Sequence, residues 1–275
     1  MDGQSQPSPT RSRLAHIPGG GRLMRIDPWW GLVILVIGLT VVLVTVSADP
    51  FWNILLFVRD GVVVTVIITV AAFILVLLMG LIGSLGRLSR NPFIYGVATL
   101  YVEIVRGIPL LVQLIWWYFA FPVVIQKIGG WLNISFIANY QANAIFTAII
   151  GLSVCYGAYM SEIYRAGIQS IPRGQIEAAR SLGMTHFQSM RHVILPQAVR
   201  VVLPPVGNEL VALLKDSCLV SVVAVADLTR RGREFMAVHF NPIEVWTMVA
   251  LLYLVMTLFL SRGVAWLEKK THFER

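Results

Sequence analysis

Residues 161–200 read SEIYRAGIQSIPRGQIEAARSLGMTHFQSMRHVILPQAVR, and the fold turns on which side of a membrane boundary this stretch belongs. Glu162, Arg165, Arg173, Glu177, Arg180, Arg191 and Arg200 give it too many charges to lie in hydrocarbon. Yet Ile176, Ala179, Gly183, Phe187 and Ile194 recur at the spacing of one apolar helix face. Pro172 and Pro196 bracket the pattern. Gly183 sits in its middle, where glycine costs about 1 kcal/mol relative to alanine inside a helix. The spacing therefore predicts two short helices joined at Gly183. A single surface helix lying on lipid headgroups is the competing reading.

On both sides of this stretch the sequence becomes lipid-soluble. Of 275 residues, 57% are apolar and 13% charged, where a soluble domain carries roughly a quarter charged. Too few polar side chains remain to solvate a folded surface, which makes the chain an all-α integral membrane protein. Uncharged runs long enough to cross lie between Asp27 and Asp49, Asp60 and Arg87, Arg106 and Lys127, over 144–160 and over 245–261. Residues 201–226 hold Pro204, Pro205, Asn208, Glu209, Lys215 and Asp216 within apolar text, and read as an irregular span with a kinked start. That makes about six transmembrane helices, with both termini on one side.

Lys and Arg concentrate in the segments on the side of the termini, which predicts that both termini and residues 161–200 are cytoplasmic. Arg230, Arg231 and Arg233 run against that bias. Residues 1–28, rich in Pro, Gly, Ser and Arg, read as a disordered basic cytoplasmic tail. Residues 266–275 read as a second cytoplasmic tail. The net charge of +8 follows from the same loop bias and calls for no nucleic acid.

No catalytic chemistry is legible. Lys127, Lys215, Lys269 and Lys270 follow Gln126, Leu214, Glu268 and Lys269, so no phosphate-binding Gly-Lys pair exists. The five histidines form no HxxxH pair, and Cys155 and Cys218 sit singly in apolar runs. No catalytic residue, metal site or cofactor is expected in this chain. Any nucleotide energy must come from another protein.

Glu177-Ala178-Ala179, followed by Gly183 and then by Val193-Ile194-Leu195-Pro196, resembles the EAA loop of ABC-importer permeases, with Val193 where the family has Ile. YVEIVRGIPLLVQL (101–114), GAYMSEIYRAGIQSIPRGQIEAA (157–179) and LPPVGNELVALLKDSCLVSVVAVADLTRR (203–231) are similar to the polar amino-acid subgroup, which carries His, Glu, Gln, Arg or opines. The resemblance covers residues 55–265. It implies a five-helix type I importer permease core, with residues 29–48 an extra N-terminal transmembrane helix. It further implies a permease subunit in a bacterial inner membrane, with ATP and Mg bound by a separate ABC ATPase. The other implied partners are a second permease subunit, identical or homologous, and a periplasmic solute-binding protein.

By the same resemblance residues 161–200 form the coupling loop, in which Glu177, Ala178, Ala179, Leu182, Gly183, Phe187, Leu195 and Pro196 meet the ATPase. Small Ala178, Ala179 and Gly183 permit close approach, while Leu182, Met184 and Phe187 can fill a pocket in the partner. The alternative function is a secondary amino-acid transporter or channel working without ATP, which leaves the loop unexplained.

Two further clusters invite a role. Glu209 and Asp216 lie two helical turns apart on one face, with Asn208 and Lys215 on the adjoining face. Such a stripe must face protein or water, either as a translocation path or as a network between two permease subunits. Glu103 and Arg106, one turn apart, are placed to pair on a helix, and Gly107-Ile108-Pro109 suggests a break or hinge after it. Residues 227–241 read as a polar helix, either a solvated connector or, by the resemblance, the mouth where the binding protein docks.

Overall fold

A computed structural model describes residues 28–46 and 48–271. The basic tail expected over residues 1–28 lies outside the described residues up to Asp27, as do residues 272–275. Among the described residues all regular structure is helical. α1 (Pro28–Val46), α2 (Ala48–Arg87) and α3 (Pro92–Gly107) come first. α4 (Leu110–Ile115) and α5 (Phe121–Trp131) are joined by a π turn over Trp116–Ala120 into one span. After α6 (Ser135–Ala138), α7 (Ala144–Gln169) crosses back to α8 (Arg173–Ser181) and α9 (His186–Ser189). A second π turn, Met190–Ile194, leads into α10 (Leu195–Asp216). A 3-10 turn over Ser217–Val223, α11 (Leu228–His239) and α12 (Pro242–Thr271) complete the chain.

Five of these segments are long and apolar enough to cross a membrane, and α10 is the sixth, more polar rod. The core is the seam between α2 and α7. These helices run parallel: Ala72 meets Ser153, Met79 meets Gly157, and Gly83 meets Ser161. Small residues make the approach possible, because a Cβ added to Gly80 would lie 2.5 Å from the Met160 side chain. With little hydrophobic drive between helices in lipid, such close backbone packing is what holds them together. Around the seam Ile68, Ala72, Val76, Leu152, Tyr156 and Met160 are buried. α10 runs antiparallel to α7 and α12, with Gly167 against Val202 and Gly207 against Val264. The α8–α9 turn and α11 therefore occupy opposite ends of the bundle, since α11 packs on the first half of α2 at Gly61 and Thr65.

Four boundaries differ from the expectations. Residues 161–169 are not loop but the last turns of α7. Pro196 does not end the second short helix: α9, the π turn and α10 form one rod from His186 to Asp216. Each π turn ends two residues before a proline, Pro122 or Pro196. A proline ring presses on the carbonyl one turn back, and the wider π turn relieves that clash. Pro204 and Pro205 likewise sit inside an unbroken α10, because lipid offers the backbone no other hydrogen-bond partners. The irregularity comes at the exit instead, in the 3-10 turn and in Ala224 at φ +64. The expected tail from residue 266 begins as the last turns of α12, where Lys269 and Lys270 complement the helix dipole.

Candidate functional site

The lever between α7 and α10 owes its shape to two adjoining caps. Gly183 has φ +74, a left-handed conformation that glycine adopts without a Cβ clash. Its N–H donates to Arg180 O (2.9 Å) and that of Met184 to Ala179 O (3.1 Å), a Schellman closure of α8. Two residues later Thr185 starts α9 with a reciprocal capping box: its hydroxyl accepts from Gln188 N–H, and its own N–H donates to Gln188 Oε1. Ile171, Ile194 and Ala198 are buried together with Ile168, Ile176 and Met190 against them, which fastens the lever to its two spans.

The lever turns two large apolar side chains outward: Leu182 is 82% and Phe187 70% exposed. Glu177, Ala178 and Gly183 are exposed beside them, and Leu195 and Pro196 are exposed on the first turn of α10. Ala179 differs from the rest of that set in exposure: it is buried against its own chain. The α8 face that carries it packs inward with Ile176.

Further into the bundle a cavity of about 220 Å³ is lined by Leu110, Cys155, Tyr156, Tyr159, Glu209 and Asp216. The Tyr156 hydroxyl donates to Asp216 Oδ2 at 2.7 Å. Helical periodicity thus places Glu209 and Asp216 at one site, as expected, but it does not bring Asn208 and Lys215 there. Asn208 is exposed, and Lys215 lines a separate groove with Trp246 and Tyr253. The two pairs lie on adjoining faces of α10, and the neighbouring helices close only one of them into this cavity. Tyr156 and Tyr159, whose rings lie 6.3 Å apart, were not singled out from sequence. Their one-turn spacing on α7 was visible, but nothing in it pointed to a carboxylate on α10.

The break after α3 is real. Ile108 is extended and Pro109 is the N-cap of α4. Buried Gln113 donates from Nε2 to Val105 O (2.7 Å) and Ile108 O (2.8 Å), which satisfies carbonyls that the break releases. Glu103 and Arg106, by contrast, do not pair. Glu103 lies 3.6 Å from Arg87, and the Arg106 guanidinium sits 5.3 Å over the Tyr159 ring. Partners on α2 and α7 outcompete the local one. Arg87, its side chain 12% exposed, also meets Glu162 at 2.7 Å, and Glu162 binds Arg165. One guanidinium thereby ties α2, α3 and α7 together.

At the other end the arginines that run against the charge bias are paired. Arg231 bonds Asp60 (3.0 Å) and Glu234 (2.9 Å), Arg230 bonds Glu234 (2.9 Å), and Arg233 reaches Ser221 Oγ (3.1 Å). Asp227 caps α11 by accepting from Thr229 and Arg230 N–H. The Arg230 guanidinium, seconded by Arg231, holds the Glu234 carboxyl below the usual carboxylate range.

Residues 77–273 match the family described as binding-protein-dependent transport system inner membrane component; α1 lies outside that match. The arginine transport system permease protein ArgU of Corynebacterium glutamicum is 39% identical over 208 residues, 75% of this chain and 65% of that protein. The glutamine transport system permease protein GlnP of Escherichia coli is 34% identical over 194 residues, 70% of this chain and 83% of that protein. The crystal structure of an amino acid ABC transporter with histidines superposes at a TM-score of 0.71 and 36% identity, covering 82% of this chain and 97% of that one. The inward-facing MetNI methionine ABC transporter, at a TM-score of 0.65 and 21% identity over 80% of this chain and 99% of that one, shares the fold. With this sequence match over most of its length and this helical architecture, the chain belongs to the family of binding-protein-dependent transport system inner membrane components.

Proposed function

We propose that this chain is the permease subunit of an ATP-binding-cassette importer for polar amino acids. It forms part of the translocation path and is driven by a separate ATPase through the α8–α9 lever. The observation that carries this reading is the helical rod from His186 to Asp216. One end bears exposed Phe187, and the other brings Asp216 into the acidic cavity. A displacement of the lever is thereby transmitted to the cavity wall without a flexible joint. Two such permeases rocking against one another would expose the cavity alternately to either side. In this reading both termini and the lever are cytoplasmic, ATP and Mg are held by the ATPase, and a solute-binding protein docks at the α11 end.

The cavity also speaks to the substrate. Glu209 and Asp216 line it together with Tyr156 and Tyr159, and no lysine or arginine is among its described lining residues. Two carboxylates favour a cationic amino acid over an acidic one. The test is reconstitution of the permease with its ATPase and binding protein in proteoliposomes. Uptake should require ATP and should favour arginine or histidine over glutamate. Gly183→Arg should abolish uptake while leaving membrane insertion intact. Transport by the permease alone, without nucleotide, would refute the reading.

A further inference from the structure

We propose that Arg106 is a specificity-determining residue that takes the α-carboxylate of the transported amino acid, while Glu209 and Asp216 take its cationic groups. The inference rests on the importer reading above and assigns a partner to the one end of the substrate that this reading leaves without one.

An amino acid arrives as a zwitterion, so a site for it needs a cation as well as anions. The cavity supplies the anions in Glu209 and Asp216, and the cation is absent from its described lining. Arg106 stands next to that lining. Its guanidinium lies 5.3 Å over the ring of Tyr159, which is a lining residue. The Tyr156 ring follows at 6.3 Å from that of Tyr159, and its hydroxyl donates to Asp216 at 2.7 Å. A cation and an anion thus stand at the two ends of a pair of tyrosines one helical turn apart on α7. A zwitterion requires that arrangement of charge.

The break after α3 brings this arginine to the cavity and leaves it free to bind. Arg106 lies in the last turn of α3, and Leu110, just past the break, lines the cavity. Gln113 donates to Val105 O and Ile108 O and contacts the thiol of Cys155 (3.5 Å), itself part of the lining. These two carbonyls, which a basic side chain at a helix end can bond, are therefore already taken. So are the neighbouring carboxylates, because Glu103 and Glu162 meet Arg87 and Glu162 also meets Arg165. Arg106 is exposed, and among the described residues none of the ion pairs involves it. Tyr159 beneath it lies about 15 Å along α7 from Gln169. The charge is thus at membrane depth, where ionisable groups are paired or mark a substrate path. A contact with one aromatic face is weak beside a bidentate pair with a carboxylate, so an arriving α-carboxylate draws the guanidinium from Tyr159.

Equilibrium binding to the purified transporter complex, without the binding protein, tests this with L-arginine against agmatine and L-histidine against histamine. Each amine keeps the amino group and side chain of its amino acid and lacks the carboxylate. The wild type should bind each amino acid at least tenfold more tightly than its amine. Arg106→Gln should lower amino-acid affinity at least tenfold and leave amine affinity unchanged, and Arg106→Lys should recover part of the loss. Unchanged amine binding also shows that the variant is folded, which a packing role for Arg106 would not give. Where the glutamine variant does not assemble, the lysine variant carries the comparison, and its loss should again fall on the amino acid alone. Equal affinity for amino acid and amine in the wild type, or no amino-acid binding by it, would overturn the proposal. So would an assembled variant that discriminates as the wild type does or loses both ligands alike. ATP-dependent uptake by the wild-type transporter tests the importer reading separately, and that reading stands whether or not Arg106 holds the carboxylate.

Discussion

The phenol of Tyr156 on α7 donates a 2.7 Å hydrogen bond to the carboxylate of Asp216, at the last residue of α10. This contact fixes one of the two acidic groups in the cavity and links α7 to the end of the rod that begins at His186. Tyr156→Phe keeps the ring and its packing but frees Asp216. A hydrogen bond to a charged group contributes about 1.5–3 kcal/mol. Uptake of a cationic amino acid should therefore fall roughly tenfold or more in kcat/KM, and uptake of a neutral one less. Proteoliposome transport with paired substrates checks this, and equal loss for both would show a merely structural contact.

Phe187 presents the larger of the two apolar side chains that the lever turns outward. Phe187→Asp should leave the capping box of Thr185 and Gln188 untouched, because that box uses other groups. Truncating a central aromatic anchor costs about 2 kcal/mol or more at an interface, so the ATPase should bind at least about thirtyfold more weakly. Copurification of the ATPase with the variant permease measures the effect. Undiminished copurification would place the docking surface elsewhere.

Arg87 is shared by Glu103 and Glu162. Arg87→Met removes the charge and leaves Glu162 with Arg165 alone. A hydrogen bond to a charged group contributes about 1.5–3 kcal/mol, and Glu162 keeps Arg165 as a partner. Glu162 is partly solvated, which puts the expected loss at the low end of that range. Thermal unfolding in detergent should show a Tm lowered by several degrees, with Arg87→Lys intermediate.

Glu234 titrates lower in the folded protein than in the unfolded chain because Arg230 and Arg231 hold it ionised. The stability it contributes is therefore fully present above the ordinary carboxylate pKa of 4.5 and is lost as the pH falls through the lower folded value. Glu234→Gln should flatten that acid limb, so that Tm falls less steeply below about pH 4.5 than in the wild type. An unchanged acid limb would show that the pairs around α11 add nothing to stability.

The joint at Gly183 was legible because two periodic segments flanked a residue that a left-handed cap demands. Glu209 and Asp216 were legible as a pair because helical spacing alone puts them on one face. The same arithmetic failed for Glu103 and Arg106. Spacing shows which side chains can meet along one helix but not which neighbour on another helix competes, and here Arg87 and Tyr159 do. Lys215 illustrates the same limit: one α10 residue faces a cavity and the next a groove, and only the packing of α7 and α12 decides which. The unbroken run through Pro196 was hidden because proline punctuates a helix in water, whereas a π turn lets this rod absorb it.

The parallel alignment of α2 with α7 has a consequence for biogenesis. Two helices pointing the same way cannot form a hairpin, so α2 must wait in the lipid while the ribosome makes everything between them. At about 5–20 residues per second that interval lasts several seconds. Throughout it the notches at Gly80 and Gly83 lack the Met160 and Ser161 side chains that later fill them. The assembly step that commits this protein to its native arrangement thus comes late in translation, when the fourth membrane-crossing helix arrives to close against the second.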